Sequence, residues 1–224
     1  MKKRKRKRKL KKKRFFLTFF IIVIFSCAIY LFTIIPVRNV YISGNTYYKD
    51  KDILTLTGIN ENSSFIFTNT VSIMPKVRKD KLIKSIVIKK NIFLEFEVLV
   101  TEKRQLYYDL NSKKIVLEDS SKVDLKNDNV PTLINAVEDK KVYKKFVEKM
   151  NKISDDALSN ISEIKYNPND IDKERFLLSM NDGNYVYVTL SKFNKINDYN
   201  NISKTLNDKK GILYLDYGNY FLEK

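Results

Sequence analysis

FFLTFFIIVIFSCAIYLFTII, residues 15–35, is a run of 21 residues without a charge, closed by Pro36. A helix needs roughly 20 such residues to cross the hydrocarbon of a bilayer. Upstream, residues 1–14 carry twelve cations and no acid: Lys2, Lys3, Arg4, Lys5, Arg6, Lys7, Arg8, Lys9, Lys11, Lys12, Lys13 and Arg14. Basic residues beside a span stay on the cytoplasmic side, and beyond the other end only Arg38 lies close. The pattern predicts a cytoplasmic basic tail over 1–14, a transmembrane helix over 15–35, and the rest of the chain outside. A cleaved signal peptide has an apolar region of roughly 7–15 residues and a small-residue cleavage site. This run is longer, and no A-x-A-like pattern ends it. Ile24-Phe25-Ser26-Cys27 resembles a lipoprotein processing site, but Phe25 is bulky where such sites are small.

The net charge is +17, and the tail supplies most of it, leaving the outer part nearly balanced. Beside anionic lipid each Lys or Arg gains about 1 kcal/mol. Anionic lipids are therefore the expected partner of the tail. Nucleic acid is not expected, because nothing in the tail can read a sequence, although its charges would attract phosphate. The single cysteine, Cys27, lies inside the span, so the outer part is held by packing and not by disulfides. The chain has no histidine. That removes His-based acid–base catalysis, Ser-His-Asp and Cys-His sites, and nearly all zinc sites. Ser162-Glu163-Ile164-Lys165 matches S-x-x-K, but the S-D-N and K-T-G elements that accompany it in penicillin-recognising enzymes are missing. No catalytic, cofactor or metal residue is assigned, and the outer part reads as a binding module.

Two regions follow the span. In the first, residues 37–44 read as a strand ended by Gly44-Asn45. Residues 49–57 read as a helix capped by Gly58, and Asn69 or Thr70 opens a second helix, late or kinked because of Pro75. Residues 83–90 and 93–101 read as a hairpin. Leu94, Phe96, Val98 and Val100 alternate with Glu95 and Glu97, as in a half-buried antiparallel strand. The order is β-α-α-β-β. In the second region, residues 113–117 read as a strand, Val130-Pro131-Thr132-Leu133 as a bend, and 138–153 as an amphipathic helix through Val142, Phe146, Val147, Met150 and Ile153. Residues 175–180 and 185–190 form a hairpin about Asn181-Asp182-Gly183-Asn184. Phe193, Ile196, Ile202 and Leu206 suggest another helix, and residues 211–221 one final strand. The expected class is α+β: an N-terminal transmembrane helix, a β-α-α-β-β module over 37–104, and a mixed but mainly antiparallel domain over 105–224.

These landmarks resemble the FtsQ/DivIB family of bacterial cell-division proteins along nearly the whole chain. Residues 37–45, VRNVYISGN, resemble the family's opening strand and Gly-Asn turn. Ile53 to Gly58-Ile59 resembles the helix that follows, and Val98-Leu99-Val100-Thr101-Glu102-Lys103 the strand that closes its POTRA domain. Val130-Pro131-Thr132-Leu133-Ile134, Asp182-Gly183 and residues 211–221, GILYLDYGNYF, resemble the landmarks of its β-domain. Gln105 stands where the family usually has Pro, and Tyr214 where Asp is common. The resemblance implies a scaffold of the division machinery, without chemistry of its own, located at the septum. It implies FtsL and FtsB/DivIC as partners outside the membrane, one of them adding a strand to the last strand. The corresponding positions here are Tyr214, Asp216, Tyr217, Gly218, Asn219, Tyr220 and Phe221. Strict alternation would put Tyr214, Asp216, Gly218 and Tyr220 on one face and Leu213, Leu215, Tyr217 and Asn219 on the other. Some of the aromatics then fill the core instead. A membrane-anchored sensor whose tail meets a cytoplasmic partner is the other reading. A tail that acts by charge alone tolerates scrambling of its Lys and Arg, and a sensor's tail does not.

Overall fold

The computed structural model of the chain describes residues 12–126 and 130–224. Lys2, Lys3, Arg4, Lys5, Arg6, Lys7, Arg8, Lys9 and Lys11 lie outside the described residues, whereas Lys12, Lys13 and Arg14 open α1 (Lys12–Thr33). Its large apolar side chains from Phe15 to Leu31 are exposed, and its length and composition suffice to cross a membrane. The chain divides into two compact units between Glu102 and Lys103.

The first unit runs β1 (Asn39–Ser43), α2 (Asp50–Thr57), α3 (Thr70–Val77), β2 (Ile83–Lys90) and β3 (Glu95–Glu102). The expected β-α-α-β-β order is thus observed. Its sheet is ordered β1-β3-β2, with β1 parallel and β2 antiparallel to β3. The ends of the helices are set locally. Gly58 takes a left-handed φ of 73° and returns its N–H to Leu54 O, and the Asn69 side chain accepts the Ser72 N–H at 3.0 Å. Ile53, Ile73 and Val77 from the helices meet Ile86, Ile88, Phe96, Val98 and Val100 from one sheet face. Leu94 departs from the expected alternation. Its φ is 63°, and it belongs to the hairpin turn and not to β3. Pro75 sits inside α3 without delaying its start at Thr70.

The second unit is a single sheet with helices on one face. Its described elements are β4 (Gln105–Asp109), β5 (Lys114–Leu117), β6 (Lys122–Val123), β7 (Thr132–Leu133), α4 (Lys140–Met150), α5 (Asp155–Ser159), β8 (Ile161–Tyr166), β9 (Arg175–Met180) and β10 (Tyr185–Thr189). A 3₁₀ helix (Leu190–Asp198), α6 (Tyr199–Thr205), β11 (Gly211–Tyr214) and β12 (Tyr220–Glu223) complete it. Among the described residues the sheet order is β12-β11-β10-β9-β8-β7-β4-β5-β6, mainly antiparallel. Phe146 of α4 centres the core, 4.7 Å from the Phe176 ring and 5.3 Å from that of Tyr107. Residues 190–198 are 3₁₀, continued by α6 from Tyr199, where a single α-helix is expected from Phe193 onward. Leu190, Phe193, Ile196 and Tyr199 are all buried, and a spacing of three matches the three residues per turn of that helix.

The strand reading misses β4, β6 and β8, and Thr132–Leu133, expected in a bend, form β7. In β8 a bulge between Ile161 and Glu163 sets the two buried residues, Ile161 and Ile164, three apart, so alternation is hidden. Ser162 and Lys165 lie along this extended backbone, roughly 10 Å apart at about 3.3 Å per residue. Ser162 Oγ donates to Ser179 O at 2.9 Å. Residues 211–221 also differ from expectation, because they form two strands and not one.

Candidate partner-binding edge of the second unit

β11 begins where the β9–β10 turn ends. Gly183 turns the chain with φ 89°, and the buried Asn184 follows. Asn184 donates its N–H to Asp182 Oδ1 at 3.0 Å and accepts the Gly211 N–H on its own Oδ1 at 2.9 Å. Gly211 is needed for closeness: a Cβ there would run into the Leu222 carbonyl of β12. From Gly211 the strand lies parallel to β10 and antiparallel to β12.

The chain leaves β11 after Tyr214. Leu215 and Asp216 are buried, Tyr217 and Asn219 are exposed, and Tyr220 starts the return strand. Asp216 is therefore not on an open face with Tyr214 and Tyr220, as alternation predicts. Its Oδ2 accepts Arg175 Nε at 2.7 Å, its Oδ1 accepts the Tyr217 N–H at 2.9 Å, and its carbonyl accepts Lys192 Nζ at 2.7 Å. Asn219 Oδ1 accepts Lys195 Nζ at 2.9 Å, so the bend at Gly218 is fastened on both sides. Phe221 turns inward and packs against the core.

Tyr214 stands on the uncovered face. Its ring stacks 5.3 Å from Tyr187 of β10 and 4.7 Å from Tyr220 of β12, and the Arg175 guanidinium lies 3.6 Å over Tyr187. A cationic group and three tyrosines thus run across β9 to β12, with Ile212 and Leu222 beside them in register. Arg175, Tyr187 and Leu222 were not singled out from sequence. The alternation of Tyr185 and Tyr187 with Val186 and Val188 carries the signal for Tyr187.

Among the described residues β12 is one edge strand of this sheet, and β6 the other. Lys224 donates its N–H to Lys210 O at 3.0 Å. Hydrogen-bonded pairs alternate in an antiparallel ladder, so Ile212–Leu222 and Tyr214–Tyr220 are bonded pairs too. The N–H and C=O of Phe221 and Glu223 therefore point away from β11. Beneath them lies a groove of about 480 Å³ with Ile202, Leu206, Leu213, Leu215 and Phe221 as its apolar lining and Lys195, Asp198, Thr205 and Asn219 as its polar lining.

Asp182 ties this edge to α6, because its Oδ2 also accepts the Tyr199 hydroxyl at 2.7 Å. Burial opposes its charge, but the Asn184 N–H and the Tyr199 hydroxyl outweigh that and hold the carboxyl below its ordinary range. A carboxyl depressed on folding contributes stability above its unfolded pKa of about 3.9, and loses it as pH falls through the folded value. At about pH 7 the wild type is expected to melt above D182N, and the two melting temperatures should converge below about pH 4. A gap independent of pH would contradict this assignment.

Residues 35–103 match the family described as POTRA domain, FtsQ-type. The cell division protein DivIB of Bacillus subtilis (strain 168) is 29% identical over 99% of this chain and 87% of its own length. DivIB of Listeria monocytogenes serovar 1/2a is 27% identical over 90% of this chain and 78% of its own length. The solved major extracytoplasmic domain of the trans isomer of DivIB from Geobacillus stearothermophilus is 23% identical. It covers 48% of this chain and 96% of its own, with a TM-score of 0.38.

Proposed function

We propose that the chain, which is similar to the FtsQ/DivIB family of bacterial cell-division proteins, is a non-enzymatic, single-pass scaffold of the division machinery. In this reading the tail over 1–14 is cytoplasmic and touches anionic lipid. The POTRA domain over 37–104 and the β-domain over 105–224 lie outside, at the septum. The partners are FtsL-like and FtsB/DivIC-like proteins, one of which adds a strand along β12. The single observation that carries the docking site is the unpaired edge of β12, with its outward Phe221 and Glu223 groups. An unpaired strand edge is a template for strand addition, and flanking pockets give it specificity. Tyr214, Tyr220 and Leu222 then offer aromatic and apolar area on one side of the added strand, and the groove lined by Phe221 on the other. Tyr217, exposed in the bend, stands at the end of the same edge.

The test is a proline at the edge. Tyr217 and Asn219, positions in the bend, do not supply edge donors, whereas Glu223 does. E223P removes an outward N–H and leaves the β11 ladder intact. Pull-down with FtsL–DivIC outer domains should weaken severalfold, while circular dichroism stays that of the wild type. E223A, which loses only the 2.7 Å ion pair with Lys209, should bind nearly as the wild type does. Full binding by a folded E223P would sink the edge-strand reading.

A further inference from the structure

The first unit exposes large apolar side chains at the end where α1 enters it. Ser64 Oγ donates to Thr33 O at 2.7 Å, and the Phe65 N–H donates to Ile35 O at 2.8 Å. The loop before α3 is thereby fastened to the end of the apolar helix. The Arg38 N–H donates to Leu94 O at 2.8 Å, which brings the β2–β3 turn to the same place. Strand direction agrees: β1 and β3 both start at this end and β2 finishes there. Exposure is high at Phe67 (61%), Val71 (79%), Ile92 (89%) and Phe93 (64%). Thr70, next to Val71, accepts the Ile88 N–H near the end of β2, so the start of α3 belongs to the same group.

The turn is built to hold its apolar residues outward. Asn91 Oδ1 accepts the N–H groups of Phe93 at 2.9 Å and Glu95 at 3.1 Å, and Leu94 takes its left-handed φ to close the loop. Lys89, Lys90 and Arg38 flank the tip. Lys90 Nζ is bonded to Ile66 O at 2.8 Å, so its charge is held beside the Phe67 loop. Glu95 and Glu61 lie at this end too, the former occupied by Asn39 and Asn91 amides at 2.8 and 2.7 Å. Apolar side chains flanked by Arg38, Lys90 and Lys89, the last 3.8 Å from Glu97, suit the boundary between acyl chains and headgroups.

We infer that the turn over 91–94, together with Phe67 and Val71, inserts into the outer leaflet of the bilayer that α1 crosses. The POTRA domain is then seated on the membrane at a fixed tilt and does not swing on its helix. The inference rests on the proposed membrane span, and its test separates the two. The chain has no tryptophan, so each single Trp variant of the full-length protein reports one site. F25W lies in the span, F93W at the turn, and Y47W at the opposite end of the POTRA sheet, where the Tyr47 N–H donates to Glu102 Oε2. Each variant is placed in phosphatidylglycerol–phosphatidylcholine vesicles that mix lipids brominated close to the headgroup with lipids brominated near the end of the acyl chain, so that a Trp is quenched at either depth. F25W and F93W should lose most of their emission relative to unbrominated vesicles, and Y47W almost none. Quenching of F25W without F93W overturns the leaflet contact and leaves the span standing. Equal quenching of F93W and Y47W overturns the directed seating. An unquenched F25W overturns the span, and the contact with it.

Discussion

Phe96→Ala is expected to destabilise the first unit by about 3–5 kcal/mol, enough to unfold many domains of its size. Phe96 is fully buried in β3, with Val98 and Val100 on the same face, and its ring stacks 5.6 Å from that of Phe65. Truncation removes the transfer energy of the ring and leaves a cavity between sheet and helices that a three-stranded sheet has few ways to close. F96L retains most of the volume and should lose far less. Denaturant unfolding of both variants decides the matter. A loss below about 1 kcal/mol for F96A would mean that this face of β3 is not the core.

The second large effect lies under the proposed docking edge. Arg175→Ala leaves Asp216 with its main ionic partner gone and its side chain 1% exposed. Breaking a buried pair on one side leaves an uncompensated charge, at about 3–5 kcal/mol. Arg175→Lys should recover little. A guanidinium both bonds Asp216 and lies flat over Tyr187, and an ammonium on a flexible stem does not do both. The double variant R175M/D216N removes both charges and should be more stable than R175A. Because Asp216 holds the bend between β11 and β12, R175A should also weaken partner capture under conditions where it remains folded. Wild-type stability of R175A would show that Asp216 reaches water or another cation when Arg175 is absent.

Much of the fold was legible because local patterns sufficed. The 21-residue apolar run, the β2–β3 and β9–β10 hairpins, the caps at Gly58 and Asn69 and the apolar stripe of α4 each follow from residues close together in the chain. Even the 3₁₀ helix is written in a spacing of three. β4 escaped notice because it is buried on both sides at Leu106 and Tyr107, which leaves no alternation to see. β8 escaped because a bulge shifts its phase. Family resemblance pointed to the last stretch of the chain, and the aromatic density of residues 214–221 agreed with it.

Which groups of that stretch face outward was decided by contacts distant in sequence. The sequence by itself determined an apolar anchor, a β-α-α-β-β module and a terminal β segment rich in tyrosine. Only the tertiary structure decided that Arg175, 41 positions away, draws Asp216 inward and ends β11. The same fold turns Phe221 to the core and leaves the edge donors on Phe221 and Glu223. A buried charge must be paired, and that requirement overrides the alternation of a strand.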